Sequence, residues 1–241
     1  LPNENIIYFG DTEHLPYGEK SKKAILNYSK KIIAFLLEKK CKIIVIACNS
    51  ASSVIDSTIE NITKNTPVFN VIDPVITEII KQGSEYNIGV IGTKATISTG
   101  IYEKKIKSKS KKAKIQSLAT PLLAPMIEEG FIDEAISTSI IKNYLSNKQL
   151  RNIEHLILAC THYPLIQKEI HNYYKGSVHV IDSANIVAKY IAKKLKKDKL
   201  LNTLQSTEHH FYVSNFTKSF EKSAKFFFKT SIKLEEINLL N

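Results

Sequence analysis

What most limits the fold of this chain is an alternation. Short runs rich in isoleucine and valine recur along it, each parted from the next by a longer stretch with helical spacing. A strand that is apolar on both faces is covered on both, and strand, helix, strand in succession builds a parallel sheet. The strand candidates are Ile6 to Phe9, Ile43 to Ala47, Val68 to Ile72, Ile88 to Ile91, Ile115 to Leu118, His155 to Ala159 and Val178 to Ile181. Between the first two, Glu19 to Lys39 carries Ile25, Tyr28, Ile32, Phe35 and Leu36 at the three-and-four spacing of a helix laid on a sheet. Further helices are expected in Ser53 to Ile62, Val75 to Lys81, Ser98 to Ile106, Leu122 to Glu129, Asp133 to Leu145, Leu165 to Tyr174 and Ala184 to Lys196. The tail adds a strand, Phe211 to Val213, and a helix from Phe216 to Phe228. The fold class is therefore α/β.

Two segments repeat one plan. IIVIACNSAS and HLILACTHYPL each hold an apolar strand, then Ala-Cys, then a polar turn that opens a helix. Cys48 and Cys160 stand far enough apart for each to belong to a βα-built domain of ordinary small size. The expectation is two similar domains with parallel sheets flanked by helices and an active site in the cleft between them. Residues 1–73 and 183–241 form the first and residues 74–182 the second. The tail is given to the first domain because it follows the second yet carries a strand and helix of its own.

Composition closes off several alternatives. The formal charge of +11 invites a nucleic-acid reading, but Arg151 is the only arginine among the 34 basic residues. Phosphate and base readers draw on arginine's rigid five-donor fork, whereas dispersed lysine covers solvated helix faces, so no nucleic-acid partner is expected. No run approaches the roughly 18 consecutive apolar residues of a membrane span, and the first residues have no signal-peptide pattern, so no membrane partner and a cytoplasmic location are expected. Cys41, Cys48 and Cys160 make no even framework and no C-x-x-C pair, which speaks against disulfide stapling and a zinc ribbon. A homodimer is left open.

Chemistry concentrates where strands end. Cys48 stands at the end of a buried strand, and Asn49 and Ser50 are the residues expected where a helix begins. Ligands of open α/β sheets bind at this end of the strands. A helix N-terminus lowers a thiol from its ordinary pKa of about 8.5 toward the thiolate range, while a lone buried thiol is more commonly inert. Cys160 repeats the position and is followed by Thr161, His162, Tyr163 and Pro164. His162 is either a proton partner of that thiol or a hydrogen-bonded surface group. Two thiols facing one cleft suit the exchange of an α-proton between opposite faces of an amino acid, since a thiol's pKa can be tuned to the working pH. The chain holds no G-x-G-x-x-G and no G-x-x-x-x-G-K-[ST] loop, no metal-ligand cluster and no pattern marking a Schiff-base lysine, so no cofactor and no metal are expected. With one arginine, a carboxylate clamp must come largely from helix N-termini, hydroxyls and amides; Asn49, Ser50, Thr93, Thr96 and Thr161 are such groups, though taken singly residues of these types more commonly cap helices and shape turns.

These residues resemble the signatures of glutamate racemases, within the wider aspartate/glutamate racemase superfamily, over nearly the whole chain. YFGDTEHLPYGEKS, Tyr8 to Ser21, resembles the family's segment that closes on the substrate, which implies that Tyr17 and Gly18 bind it. ACNSAS resembles the first-cysteine motif, implying Cys48 as one base with Asn49 and Ser50 as contacts. GTKAT, Gly92 to Thr96, implies ligand contacts from Thr93 and Thr96. ACTHYPL resembles the second-cysteine motif, implying Cys160 as the other base with Thr161 and His162 as contacts or helpers, and Glu128 falls where the family has an acidic residue near them. The implied activity is a cofactor-independent interconversion of L- and D-glutamate that supplies D-glutamate for peptidoglycan. The resemblance further assigns Cys48 to D-glutamate and Cys160 to L-glutamate.

The chain departs from the pattern in two places. Thr120-Pro121 stands where the family often has Cys-Pro. The family opens with a strand ending in Asp-Ser-Gly and a glycine-rich turn into a helix, whereas this chain begins Leu1-Pro2. The resemblance implies a strand and helix of roughly 25 residues ahead of Leu1, and the chain without them is expected to be nearly inactive. Two alternatives follow: a catalytically silent relative that binds an amino acid or a protein, and a racemase acting on aspartate.

Overall fold

The computed structural model describes residues 1–55, 57–63, 65–83, 86–132, 134–203, 208–217, 220–221 and 232–239. The chain runs β1 (Ile7–Gly10), α1 (Lys22–Glu38), β2 (Ile44–Ile46), α2 (Asn49–Ser52), α3 (Ser57–Thr63), β3 (Val68–Asn70), α4 (Ile72–Gln82), β4 (Asn87–Gly92), α5 (Lys94–Ser98) and α6 (Ile101–Lys109). It continues through β5 (Lys114–Ala119), α7 (Leu123–Glu128), α8 (Ala135–Leu145), β6 (His155–Ala159), α9 (Gln167–Tyr174), β7 (His179–Ile181), α10 (Ser183–Lys197), β8 (His210–Val213) and β9 (Leu234–Glu236). Every strand pairing among these is parallel. The strands form a four-stranded sheet in the order β5-β4-β6-β7, a three-stranded sheet β1-β8-β9 and the pair β2-β3.

The four-stranded sheet shows why its strands read as unbroken apolar runs. Along β6 the pleat sends Leu156 and Leu158 into one cluster with Leu123, Met126, Ile141, Ile166 and Ile170. Ile157 and Ala159 face the other way, onto Ile72, Val75, Ile79 and Ile106. Helices α7, α8 and α9 therefore cover one face, and α4 and α6 the other. Ile88, Val90 and Ile91 of β4 and Leu156 to Ala159 of β6 are buried, and the polar side chains of these strands, Asn87 and His155, stand only at their starts. The tail returns to the start of the chain, where β8 pairs with β1 in the register Ile7 to His210 and Gly10 to Val213. α10 packs back on α4, with Val187, Ile191 and Leu195 buried against Val71. No helix among the described residues is long and apolar enough to cross a membrane.

Elements deviate from the sequence expectation where side chains compete with the backbone. Of the helix expected from Ser53 to Ile62 only α3, Ser57–Thr63, is helical, and a separate short helix, α2, comes before it, starting directly after Cys48 and ending at Ser52. Ser53 Oγ donates to the Ser50 carbonyl at 2.8 Å there, a local bond that draws the backbone out of a longer helix. The helix expected from Ser98 to Ile106 is split, since Gly100 sits between α5 and α6 at φ 62°, a left-handed conformation that ends a helix. β9 has no apolar alternation and was legible only through its pairing with β8. Most of the helix expected from Phe216 to Phe228 lies outside the described residues.

Candidate active site

Cys48 follows β2 and occupies the position just before α2, with φ −89° and ψ 129°. Cys160 follows β6, and both thiols line one cavity of ≈460 Å³ at the ends of their strands. Cys48 is half-buried, Cys160 is buried and Cys41 contributes nothing to the lining. The two repeated Ala-Cys turns thus bring their sulfurs to a common space from two different sheets.

The surroundings of the two thiols differ. Around Cys48, burial pushes the thiol up to about 11. The backbone N–H groups of Ala51 and Ser50 and the Ser50 hydroxyl pull the other way, and the neighbouring charge of Cys160 adds to the rise. This corrects the expectation that the helix start brings Cys48 into the thiolate range. Only four residues long, α2 has a small dipole, and the loss of water outweighs it. Cys160 Sγ instead stands 3.5 Å from His162 Nδ1, and His162 Nε2 is 3.1 Å from Glu128 Oε1 at the end of α7. Burial disfavours a charge on His162, but its bonds to Cys160 and Glu128 outweigh this and push its pKa up to about 10. At neutral pH the imidazole between the sulfur and the carboxylate is therefore a cation.

The other expected residues fall into three groups. Asn49, Ser50, Thr93 and Thr161 line the cavity with the thiols. Thr96 does not line it and is 1% exposed, since its hydroxyl sits behind the others. Ser50 Oγ is 2.9 Å from Thr93 Oγ1 and 3.3 Å from Thr96 Oγ1, which are themselves 3.1 Å apart. That triangle ties the turn after β2 to the turn after β4, where Thr93 also caps α5 by accepting from the Thr96 N–H at 3.2 Å. Tyr17 and Gly18 reach the cavity from a single helical turn, Tyr17–Glu19. A methyl group on Gly18 would stand 2.7 Å from Thr93 Cβ, so the absent side chain is what lets this turn approach α5. An exposed ion pair of Lys94 and Glu19 at 3.1 Å spans the same contact.

Asp11 was missed, although it lies within the segment that supplied Tyr17 and Gly18. Its carboxylate lines the cavity, accepts from Tyr17 Oη at 2.6 Å and from Ser214 Oγ at 2.8 Å, and meets His14 Nδ1 at 2.8 Å. A carboxylate directly after the glycine that ends β1 is the signal that was available. Thr120 is fully buried and 2.7 Å from Tyr163 Oη, so it joins the end of β5 to the turn after Cys160, while Pro121 lines the cavity. Among the described residues no group of three or more His, Cys, Asp or Glu side chains is placed to share a metal ion.

A parallel α/β architecture with two thiols lining one cavity at its strand ends defines a class: α/β proteins with a pocket for a small molecule at the carboxyl ends of their strands. Residues 2–191 match the family model of Asp/Glu/Hydantoin racemases, and the chain belongs to that family. It is 39% identical to the glutamate racemase of Aquifex aeolicus over 82% of this chain and 76% of that one. Identity to the glutamate racemase of Neisseria meningitidis serogroup B is 36%, over 99% of this chain and 89% of that one. Among solved structures, the glutamate racemase of Francisella tularensis in complex with D-glutamate superimposes with a TM-score of 0.93 at 36% identity, covering 100% of this chain and 90% of that one. The Bacillus anthracis glutamate racemase gives 0.92 at 32% identity, over 98% and 89%.

Proposed function

We propose that this protein interconverts L- and D-glutamate without a cofactor, and that Cys48 and Cys160 exchange the α-proton on opposite faces of the substrate. The single observation that carries the reading is that two thiols from two sheets line one cavity. Cys48, pushed up to about 11, holds its proton at neutral pH and is the acid of the resting site. The base on the other face is assigned to Cys160, whose Sγ stands 3.5 Å from His162 Nδ1. It takes the α-proton and leaves a carbanion, which the Cys48 thiol protonates from its own side. The product has the opposite hand, and the two sulfurs have exchanged roles. His162 favours the anionic form of Cys160 when that sulfur serves as the base, and Glu128 keeps the imidazole oriented.

Asn49, Ser50, Thr93 and Thr161 are proposed to hold the substrate's carboxylates through amide and hydroxyl donors. Tyr17 and Gly18 cover it, and Thr96 acts from behind by holding Ser50 and Thr93. The domain division proposed is residues 1–73 with 183–241 against residues 74–182. The pairing of β8 with β1 supports it, as does the origin of all four strands of the larger sheet in the second part. A cytoplasmic enzyme that supplies D-glutamate for peptidoglycan agrees with the names and the bacterial sources of the relatives.

The protein expressed from its whole reading frame, incubated with L-glutamate in D2O, is expected to lose the circular dichroism of the substrate. It should also incorporate one deuterium at the α-carbon, read by proton NMR. The same measurement with aspartate decides the substrate, and turnover of aspartate alone would reassign it. No turnover of either amino acid would reject the racemase reading for this protein.

A further inference from the structure

Asn49 lines the cavity with a side chain that is 2% exposed, and its two ends are not equivalent. Its Oδ1 accepts a hydrogen bond of 2.6 Å from Tyr102 Oη, reaching across from α6. Its Nδ2 is buried and has no partner among the described residues. Tyr102 is itself 2% exposed and takes no other part in the cavity, which it does not line. Burial pushes its hydroxyl far above the ordinary tyrosine range, with the charges of Cys160 and Asp73 adding to the rise, so it stays a donor at any working pH.

An amide has two nearly isosteric orientations that exchange a donor for an acceptor. A carboxylate ligand accepts hydrogen bonds only, so an Asn49 that turned its oxygen toward the cavity would repel it. The phenol's single proton removes that alternative by holding Oδ1 and leaving only the NH2 for a ligand. A buried amide donor without a partner is costly and is satisfied when an acceptor arrives.

We propose that Tyr102 is a positioning residue for substrate binding: it fixes the amide of Asn49 so that the unpartnered NH2 is the group offered to a carboxylate of the substrate. The inference rests on the glutamate reading above, and its test separates the two. Dissociation of D-glutamate is measured by calorimetry, which needs no turnover, beside kcat and KM for both enantiomers. Tyr102→Phe keeps the ring and removes the bond. It is expected to raise Kd and KM about tenfold for both hands, the worth of one hydrogen bond to a charged group, with kcat changed less than about twofold. A purely structural tyrosine would instead lower the melting temperature and scale kcat down without this split.

Asn49→Ala is the second arm. In that background Tyr102→Phe has no amide left to orient, so its tenfold effect on Kd should vanish. Unchanged Kd in Tyr102→Phe, or an effect of the same size with and without Asn49, would overturn the proposal. A wild-type protein that binds glutamate but does not racemise it would reject the function and leave the positioning role to be read from Kd alone. A protein that binds no glutamate would overturn both.

Discussion

At the scale of single residues, the proposed mechanism divides the site into atoms that would exchange protons and atoms that hold a polarity. Cys48→Ser or Cys160→Ser substitutes a hydroxyl far too weakly acidic for the task, so racemisation is expected to fall by about 10² to 10⁴ in each. The remaining thiol still faces one enantiomer, so α-deuterium exchange in D2O should survive for one hand in one mutant and for the other hand in the other. Cys41→Ser, outside the cavity lining, serves as the control with near-normal turnover. Near-normal racemisation in either Cys48→Ser or Cys160→Ser would defeat the two-thiol mechanism. His162 makes a second, pH-dependent prediction. Its pKa is raised from 6.5 to about 10 in the folded protein, so the stability it contributes is full below about pH 6.5 and is lost as pH rises toward 10. Urea denaturation across that window should show stability falling with pH, and His162→Gln should flatten the fall. A slope unchanged by the substitution would show that the imidazolium is not the group responsible.

At the scale of elements, the site depends on how closely short pieces approach one another. The Tyr17–Glu19 turn, α2 and α5 meet through Gly18, Ser50, Thr93 and Thr96, none of which carries a long side chain. Gly18→Ala places a methyl group 2.7 Å from Thr93 Cβ, and Thr93 is tied to Ser50 and Thr96, so it cannot yield freely. Overpacking of this kind costs about 1–3 kcal/mol. The substitution is expected to lower the urea midpoint accordingly and to raise KM, because the displaced Thr93 belongs to the cavity wall. A wild-type midpoint and KM would mean that the turn moves independently of α5.

At the scale of the whole molecule, the central strands β4 and β6 of the four-stranded sheet are buried on both faces, and the helices over that sheet hold the turn that carries Cys160. Leu156 is fully buried among the side chains of α7, α8 and α9. Leu156→Ala should destabilise the protein by about 2–5 kcal/mol, seen as a lower urea midpoint with little change in slope. A loss under about 1 kcal/mol would mean that this core collapses around the missing atoms.

Much of this was legible in the residues themselves. The apolar runs of β4 and β6, the Ala-Cys turns and the polar residues behind them are local patterns, and a strand buried on both faces has little choice but to be written as one. Segments governed by local side-chain competition, such as α2 and α5, were legible in kind but not in extent. The bonds that give the site its polarity were not legible, because they join residues far apart in the chain. Asp11 meets Ser214 across 203 positions and Asn49 meets Tyr102 across 53, and no local pattern distinguishes either partner beforehand. The state of Cys48 belongs to the same class. A helix start is visible in the sequence and argues for a thiolate, but desolvation is a property of everything packed around the sulfur, and only the tertiary structure decided that it prevails.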